Sequence, residues 1–194
     1  PPRSTLFPYT TLFRSIPGHL GKPIDFEAND IIFFYDSWCL PTNLRGKKLF
    51  IDPLNHTIFH NNDNPDDDQR TLECYYANKY FIGGKKVLDE HKNLISLGQE
   101  IKRTHQQIAG ILRKAKVLYC YEPSAIIGEA QACGCPVILI RSEYWPLAAD
   151  DPHLRLPGLA IYGEPNALSL AKESLRHIPE THKHAQDNSW TMAR

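Results

Sequence analysis

The 194-residue sequence lacks an excess of either charge, a long apolar run and a glycine-rich dinucleotide turn. Its 22 basic and 22 acidic residues cancel, which argues against a nucleic-acid-binding surface or a strongly basic membrane-binding surface. No run approaches the roughly 18 apolar residues of a membrane-spanning helix, and no signal peptide is recognisable. The missing Gly-x-Gly-x-x-Gly turn disfavours a dinucleotide-dependent dehydrogenase.

The five cysteines show no spacing typical of a disulfide framework, and their number is odd. Three of them lie in apolar runs or beside a turn, where a reduced cysteine packs as a small hydrophobic side chain. Cys133 and Cys135 flank a glycine at a predicted turn, so they are expected to pack rather than to bind a metal. Together with the missing signal peptide, this cysteine usage predicts a cytoplasmic protein.

The organisation of the chain is predicted in three parts. Residues 1–15 contain the run TLFPYTTLFRS, which resembles a translated sequencing adapter and is expected not to be native. Residues 16–72 are predicted to be the end of a preceding domain or an interdomain segment, with strands at Ile31–Tyr35 and Leu49–Ile51. Residues 73–194 are predicted to form an α/β domain, and both ends of the chain are expected to be incomplete.

The stretch from Val117 to Ile140 is predicted to form the centre of that domain. Val117–Tyr121 and Pro136–Ile140 are continuous apolar runs, as expected for strands covered on both faces of a parallel sheet. Between them, Ala125–Cys133 is predicted to be a helix with Ser124 as its N-cap and a glycine at its end. The fold class is therefore α/β, with a Rossmann-like parallel sheet and flanking helices.

Glu129 is the one charged residue of this otherwise apolar helix. A carboxylate on a nearly buried helix costs several kcal/mol unless a partner satisfies it. The partner is either a structural hydrogen-bond donor of the protein or a hydroxyl group of a ligand. Ala125 lies one turn earlier on the same face, and its small side chain leaves room for a ligand.

The same stretch resembles the donor-site segment of GT-B glycosyltransferases, closest to the family-4-like and capsule-type enzymes. The resemblance rests on Glu122-Pro123-Ser124, on Glu129-Ala130 and on the run from Gly134 to Ile138. It implies that Glu129 holds the ribose hydroxyls of a nucleotide-sugar. It also implies that the backbone at Ser124 and Ala125 faces the diphosphate, and that Glu122 lies near the donor sugar as the catalytic candidate.

Two basic residues are further candidates for the diphosphate. Cys74–Ile82 is predicted to be a strand that ends in Gly83-Gly84-Lys85-Lys86, where Lys85 would neutralise phosphate or lie in an ordinary exposed turn. Gln99–Ala115 is predicted to be an amphipathic helix that links this strand directly to Val117–Tyr121. Arg103, near its start, would bind the diphosphate or be solvated, because ligands bind beyond the carboxyl ends of parallel strands.

No metal site is predicted. Asp66 and Asp68 form an Asp-x-Asp triplet, but they lie in an Asn/Asp/Pro run typical of a solvated turn. The pair His56 and His60 and the pair His182 and His184 lack a third ligand at recognisable spacing.

The expected function is transfer of a sugar from a nucleoside diphosphate sugar to an unknown hydroxyl acceptor, in surface polysaccharide or glycoconjugate synthesis. No cofactor is expected beyond that substrate, and the full-length enzyme could associate with a membrane peripherally. The alternatives are a Rossmann-like nucleotide-binding module and a non-catalytic interaction domain.

Overall fold

The computed structural model describes residues 54–62, 69–142, 145, 147, 154 and 156–178, with the backbone of 33–34 and 47–48. The chain divides into two compact units, one of Pro1–Asp52 with His182–Arg194 and one of Pro53–Thr181. In the first unit, β1 (Phe33–Phe34) pairs in parallel with β2 (Lys47–Lys48). The predicted strand Ile31–Tyr35 contains β1, whereas Leu49–Ile51 lies outside the described residues.

The second unit contains a five-stranded, all-parallel sheet with strand order β4-β3-β5-β6-β7. The predicted α/β class with a Rossmann-like arrangement is therefore confirmed. The strands are β3 (Leu72–Tyr76), β4 (Ile95–Ser96), β5 (Ala115–Cys120), β6 (Val137–Leu139) and β7 (Leu159–Ile161). The helices are α1 (Asn78–Ile82), α2 (His105–Lys114), α3 (Ile126–Ala132) and α4 (Ala167–Ser174).

Helices cover both faces of this sheet, as the alternation along β5 shows. Leu118 and Cys120 pack in the cluster that contains buried residues of α2 and α3. Val117 packs instead with Ala171 of α4, and Tyr121 packs with residues on either side of α1. Successive side chains of a strand point to opposite faces, so two apolar layers sandwich the sheet.

The loop before the sheet also contributes to this core. Phe59 is only 2% exposed and packs in the cluster of α2 and α3, with Leu54 and Ile58 against it. Arg70 is 4% exposed and donates to the carbonyl oxygens of three residues at the ends of α2 and α3, and to the side chain of Asn61. The carbonyl acceptors are Leu112, Ala115 and Cys133.

Three predictions about elements are wrong. The run Cys74–Ile82 is not one strand, because β3 ends at Tyr76 and α1 follows it. The helix predicted from Gln99 begins only at His105, since Thr104 caps it and Gln107 bonds back to the Thr104 N–H. It also follows β4 rather than β3, and the short strand β4 was not predicted.

A fourth prediction is also wrong, because Ser124 is not the N-cap of α3. Ala125 occupies the position before the first helical residue and makes no side-chain cap. The Ser124 carbonyl oxygen accepts from Ile127 N–H, so the first turn closes on backbone alone.

No helix in the described part of the chain is long and apolar enough to cross a membrane.

Candidate functional site

The sheet reverses its winding between β3 and β5, and the candidate site lies where these two strands end. The chain leaves β3 for the edge strand β4 on one side, and it leaves β5 for β6 on the other side. In open α/β sheets, ligands bind outside the carboxyl ends of the strands at such a reversal. Tyr76, Asn78, Glu122 and Ser124 lie together there, whereas no contact among the described residues joins Arg103 or Glu129 to them.

Glu122 comes two residues after β5 and is completely buried. Its Oε2 atom accepts a hydrogen bond of 2.8 Å from the N–H of Tyr80 in α1, and its Oε1 atom has no partner among the described residues. Burial raises the pKa of this carboxyl, while the Tyr80 N–H and the nearby Lys79 charge act in the opposite direction. Glu122 therefore holds the start of α1 against the end of β5.

Three polar side chains join the end of β3 to its neighbours. The Asn78 amide donates to the Tyr76 hydroxyl at 2.9 Å and accepts from the Gln99 N–H at 2.6 Å. The Tyr76 hydroxyl also bonds to the Ser124 side chain, and this bond lowers the Tyr76 pKa. Burial has the larger effect on that pKa and raises it. Ser124 is thus placed beside β3 by a contact that the sequence pattern did not indicate.

Arg103 lies beside the end of β4, because its Nη1 atom donates to the Ser96 carbonyl oxygen at 2.6 Å. A carbonyl oxygen does not neutralise the guanidinium charge, and no carboxylate in the described ranges forms an ion pair with it, so this charge is suited to an anion. The capped start of α2 follows immediately at Thr104. The expectation that this helix begins near the carboxyl ends of the strands is consistent with this contact.

Glu129 lies in the first turn of α3 and is half-buried. Burial raises the pKa of its carboxyl, and the nearby His105 at the start of α2 partly offsets that effect. The side chain makes no hydrogen bond or ion pair within the described part of the chain. Glu129 is therefore a partly desolvated carboxylate that neighbouring protein groups do not satisfy.

The remaining predicted residues take two different positions. Ala125 is exposed beside Ser124, directly before α3. Lys85 follows α1 rather than a strand, in a turn where Gly84 has φ +75° and the Lys85 N–H donates to the Tyr80 carbonyl oxygen. The prediction that the two glycines directly follow a strand is wrong, because α1 intervenes.

Sequence reasoning missed Tyr76, Asn78 and His105. Tyr76 and Asn78 lay within a run predicted to be a single strand, so their polar groups were not assigned to a strand end. His105 has no motif around it, and only the packing of α2 beside α3 brings its side chain near Glu129. The ring of His105 also lies 5.9 Å from the ring of Phe59, centre to centre.

Cysteines and histidines do not form a metal centre in the described part of the chain. Cys133 and Cys135 are buried, and burial raises their pKa values to about 11 and about 12. Within the described ranges, no three histidine, cysteine, aspartate or glutamate residues are placed to hold an ion. Asp66, Asp68, His182 and His184 lie outside those ranges.

A cavity of about 870 Å³ runs along α2 and is lined by Arg103, but neither Glu122 nor Glu129 lines it. Comparison of the chain with known protein families, curated proteins and solved structures finds no match.

Proposed function

We propose that this chain carries the donor-binding α/β domain of a glycosyltransferase of surface polysaccharide or glycoconjugate synthesis. The observation that carries the proposal is the Glu129 carboxylate, which is half-buried yet has no hydrogen-bond partner among the described residues. Two adjacent hydroxyls of a ribose are suitable donors for such a carboxylate, as the acidic residue of dinucleotide-binding folds illustrates. The resemblance of the surrounding residues to GT-B donor sites supports the same assignment.

The proposed reaction moves a sugar from a nucleoside diphosphate to a hydroxyl oxygen. The acceptor oxygen bonds to the anomeric carbon, the bond from that carbon to the diphosphate oxygen breaks, and the proton of the acceptor hydroxyl passes to the departing diphosphate or to water. Negative charge grows on the departing diphosphate, so positive groups placed there lower the barrier. Arg103 is the proposed partner, with Lys85 and the backbone at Ser124 and Ala125 as further contacts.

Glu122 has a different position in this proposal. Because its carboxylate is buried and bonds to α1, it positions α1 and Asn78 at the strand ends. The catalytic role that the resemblance implies for Glu122 stays a prediction. The cytoplasmic location and the peripheral membrane association of the full-length enzyme also remain proposals.

The experiment is a titration of the full chain with UDP, GDP, dTDP and ADP, each beside its nucleoside. The proposal expects one diphosphate to bind and its nucleoside to bind more weakly, because Arg103 contributes a charge-assisted contact. Arg103→Met should remove most of that difference. Binding of no nucleotide by the folded chain would contradict the proposal and favour a non-catalytic interaction domain.

A further inference from the structure

One side of α2 borders an open groove of about 870 Å³. Gln107, Gly110, Ile111 and Lys114 line it, and their spacing of three or four residues places them on one stripe of the helix. Leu72 and Ile101 are among the other lining residues. We call this surface the α2 groove.

The α2 groove is positively charged. Lys102, Arg103, Arg113 and Lys114 line it, and none of its described lining residues is acidic. Lys102 and Lys114 are exposed, and neither has a carboxylate at ion-pair distance in the described part of the chain. Charges of one sign around a groove attract a ligand or segment of the opposite sign.

The α2 groove also has apolar surface beside these charges. Ile101 is 48% exposed, and Leu72 and Ile111 are half-buried. An apolar centre with a polar, charged rim is the usual composition of a protein–protein interface.

Gly110 adds a separate observation. It lies in the middle of α2, where glycine is less favourable than alanine, yet a Cβ atom there would meet no atom within 4 Å. Packing inside the described part of the chain therefore does not require glycine at this position. A missing side chain at the groove surface lets the backbone of a partner approach α2 closely.

We propose that the α2 groove is a docking site for an acidic amphipathic helix of a partner protein. The apolar side chains of that helix would pack on Leu72, Ile101 and Ile111, and its carboxylates would face Lys102 and Lys114. The groove follows α2, whose 10 residues span about 15 Å, so about three turns of the partner would be engaged. Arg103 lines the groove but is not among the proposed contacts of the partner helix, so the docking does not rest on the proposed glycosyltransferase function.

The test uses a 14-residue peptide of leucine and glutamate, with leucine at helical spacing on one face, and a matched peptide with lysine in place of glutamate. We expect the glutamate peptide to bind the full chain and the lysine peptide to bind at least ten-fold more weakly. Equal binding of both peptides, or no binding of the glutamate peptide, overturns the proposal.

Three variants locate the binding. Lys114→Glu should weaken binding of the glutamate peptide at least ten-fold, with only the small fall in Tm that a carboxylate in the last turn of α2 causes. Lys116→Glu, an exposed charge outside the groove, should leave binding unchanged. Gly110→Ala should weaken binding and raise the Tm by a few degrees, because alanine favours the helix.

Other occupants give different results, each of which overturns the proposal. A fall in the Tm of both Lys102→Glu, which lies outside α2, and Lys114→Glu means that acidic residues of the chain itself occupy the groove. If the chain forms a concentration-dependent dimer and Lys114→Glu dissociates it, then a second copy of the chain occupies the groove. If the chain binds phosphatidylserine vesicles, and Lys114→Glu abolishes this binding while Gly110→Ala leaves it unchanged, then the groove binds a membrane surface.

Discussion

The Oε2 atom of Glu122 accepts a hydrogen bond from the backbone N–H of Tyr80 at 2.8 Å, across 42 positions of sequence. This bond joins the end of β5 to the first residues of α1, and the other carboxylate oxygen has no partner within the described ranges. A buried carboxylate that is satisfied on one side only is expected to titrate abnormally.

The first prediction is that Glu122→Gln gains stability relative to the wild type as the pH rises. The folded-state pKa of Glu122 lies above its ordinary value of 4.5, so the folded state binds the proton more tightly than the unfolded state does. The stability that protonation contributes is present below pH 4.5 and is lost as the pH rises through the folded-state pKa. Urea unfolding of both proteins between acid and neutral pH measures the difference. Glu173→Gln, at an exposed position, is the control, and a difference for Glu122→Gln that does not change with pH would contradict the prediction.

The second prediction concerns Arg70, whose guanidinium bonds to the ends of two helices. Arg70→Met should lower the free energy of unfolding by about 3 kcal/mol or more, since each hydrogen bond from a charged group contributes about 1.5–3 kcal/mol. Arg70→Lys should recover little of the loss, because an ammonium cannot reproduce the fork of donors. Denaturant unfolding measures both variants, and the exposed Arg176→Met should change stability little. A loss below 1 kcal/mol for Arg70→Met would be incompatible with the bonding described.

The third prediction compares two glycines with positive φ, Gly134 at +69° and Gly163 at +85°. Alanine at either position should lower the free energy of unfolding by about 1–2 kcal/mol, because a Cβ atom disfavours the left-handed backbone conformation. At Gly134 a Cβ would also lie 2.6 Å from Asn61 Nδ2 and 2.8 Å from Arg70 Nη2, whereas at Gly163 it would meet open space. Gly134→Ala should therefore lower the free energy of unfolding by about 1–3 kcal/mol more than Gly163→Ala does, which is the usual cost of overpacking. Equal losses for the two variants in thermal or urea unfolding would show that Arg70 and Asn61 move aside freely.

The fourth prediction is that the thiols described in the structure are unreactive in the folded protein. Burial raises the pKa of Cys120 and Cys135 to about 12 and that of Cys133 to about 11, and raises the pKa of Cys74 as well. The thiolate is the reactive form, so a Cys39→Ser variant at pH 8 should react slowly with a disulfide reagent until denaturant is added. Four thiols should then react. Fast reaction of the folded variant would contradict the described packing.

The strands of the central stretch were predictable from sequence because continuous apolar runs indicate strands that are buried on both faces. The prediction Pro136–Ile140 contains β6, and Val117–Tyr121 overlaps β5. The end of β3 was not predictable in this way, since apolar and aromatic residues continue beyond it in CYYANKYFI, on both sides of Asn78 and Lys79. Its second half is helical in the structure, where Glu122 caps α1 from a distant position.

The candidate site was predictable only in part, for a similar reason. Glu129 stood out because it is a lone charge in an apolar helix, which is a local signal. The start of α2 also had a local signal, the Thr104–Gln107 capping pair, which the apolar stripe obscured. The bonds from Tyr76 to Asn78 and Ser124, and the closeness of His105 to Glu129, arise only when strands and helices assemble.

The most direct measurement is a binding cycle between Glu129 and the ribose 2′-hydroxyl, with the ribonucleoside diphosphate that binds best and its 2′-deoxy form. We predict that the wild type binds the ribose form about ten-fold or more tightly, since a hydrogen bond to a charged group contributes about 1.5–3 kcal/mol. Glu129→Ala should bind both forms equally without a loss of stability, because its carboxylate has no protein partner within the described ranges, and Glu173→Ala should behave as the wild type. Unchanged discrimination in Glu129→Ala together with a lower Tm would show that Glu129 is structural and would contradict the account.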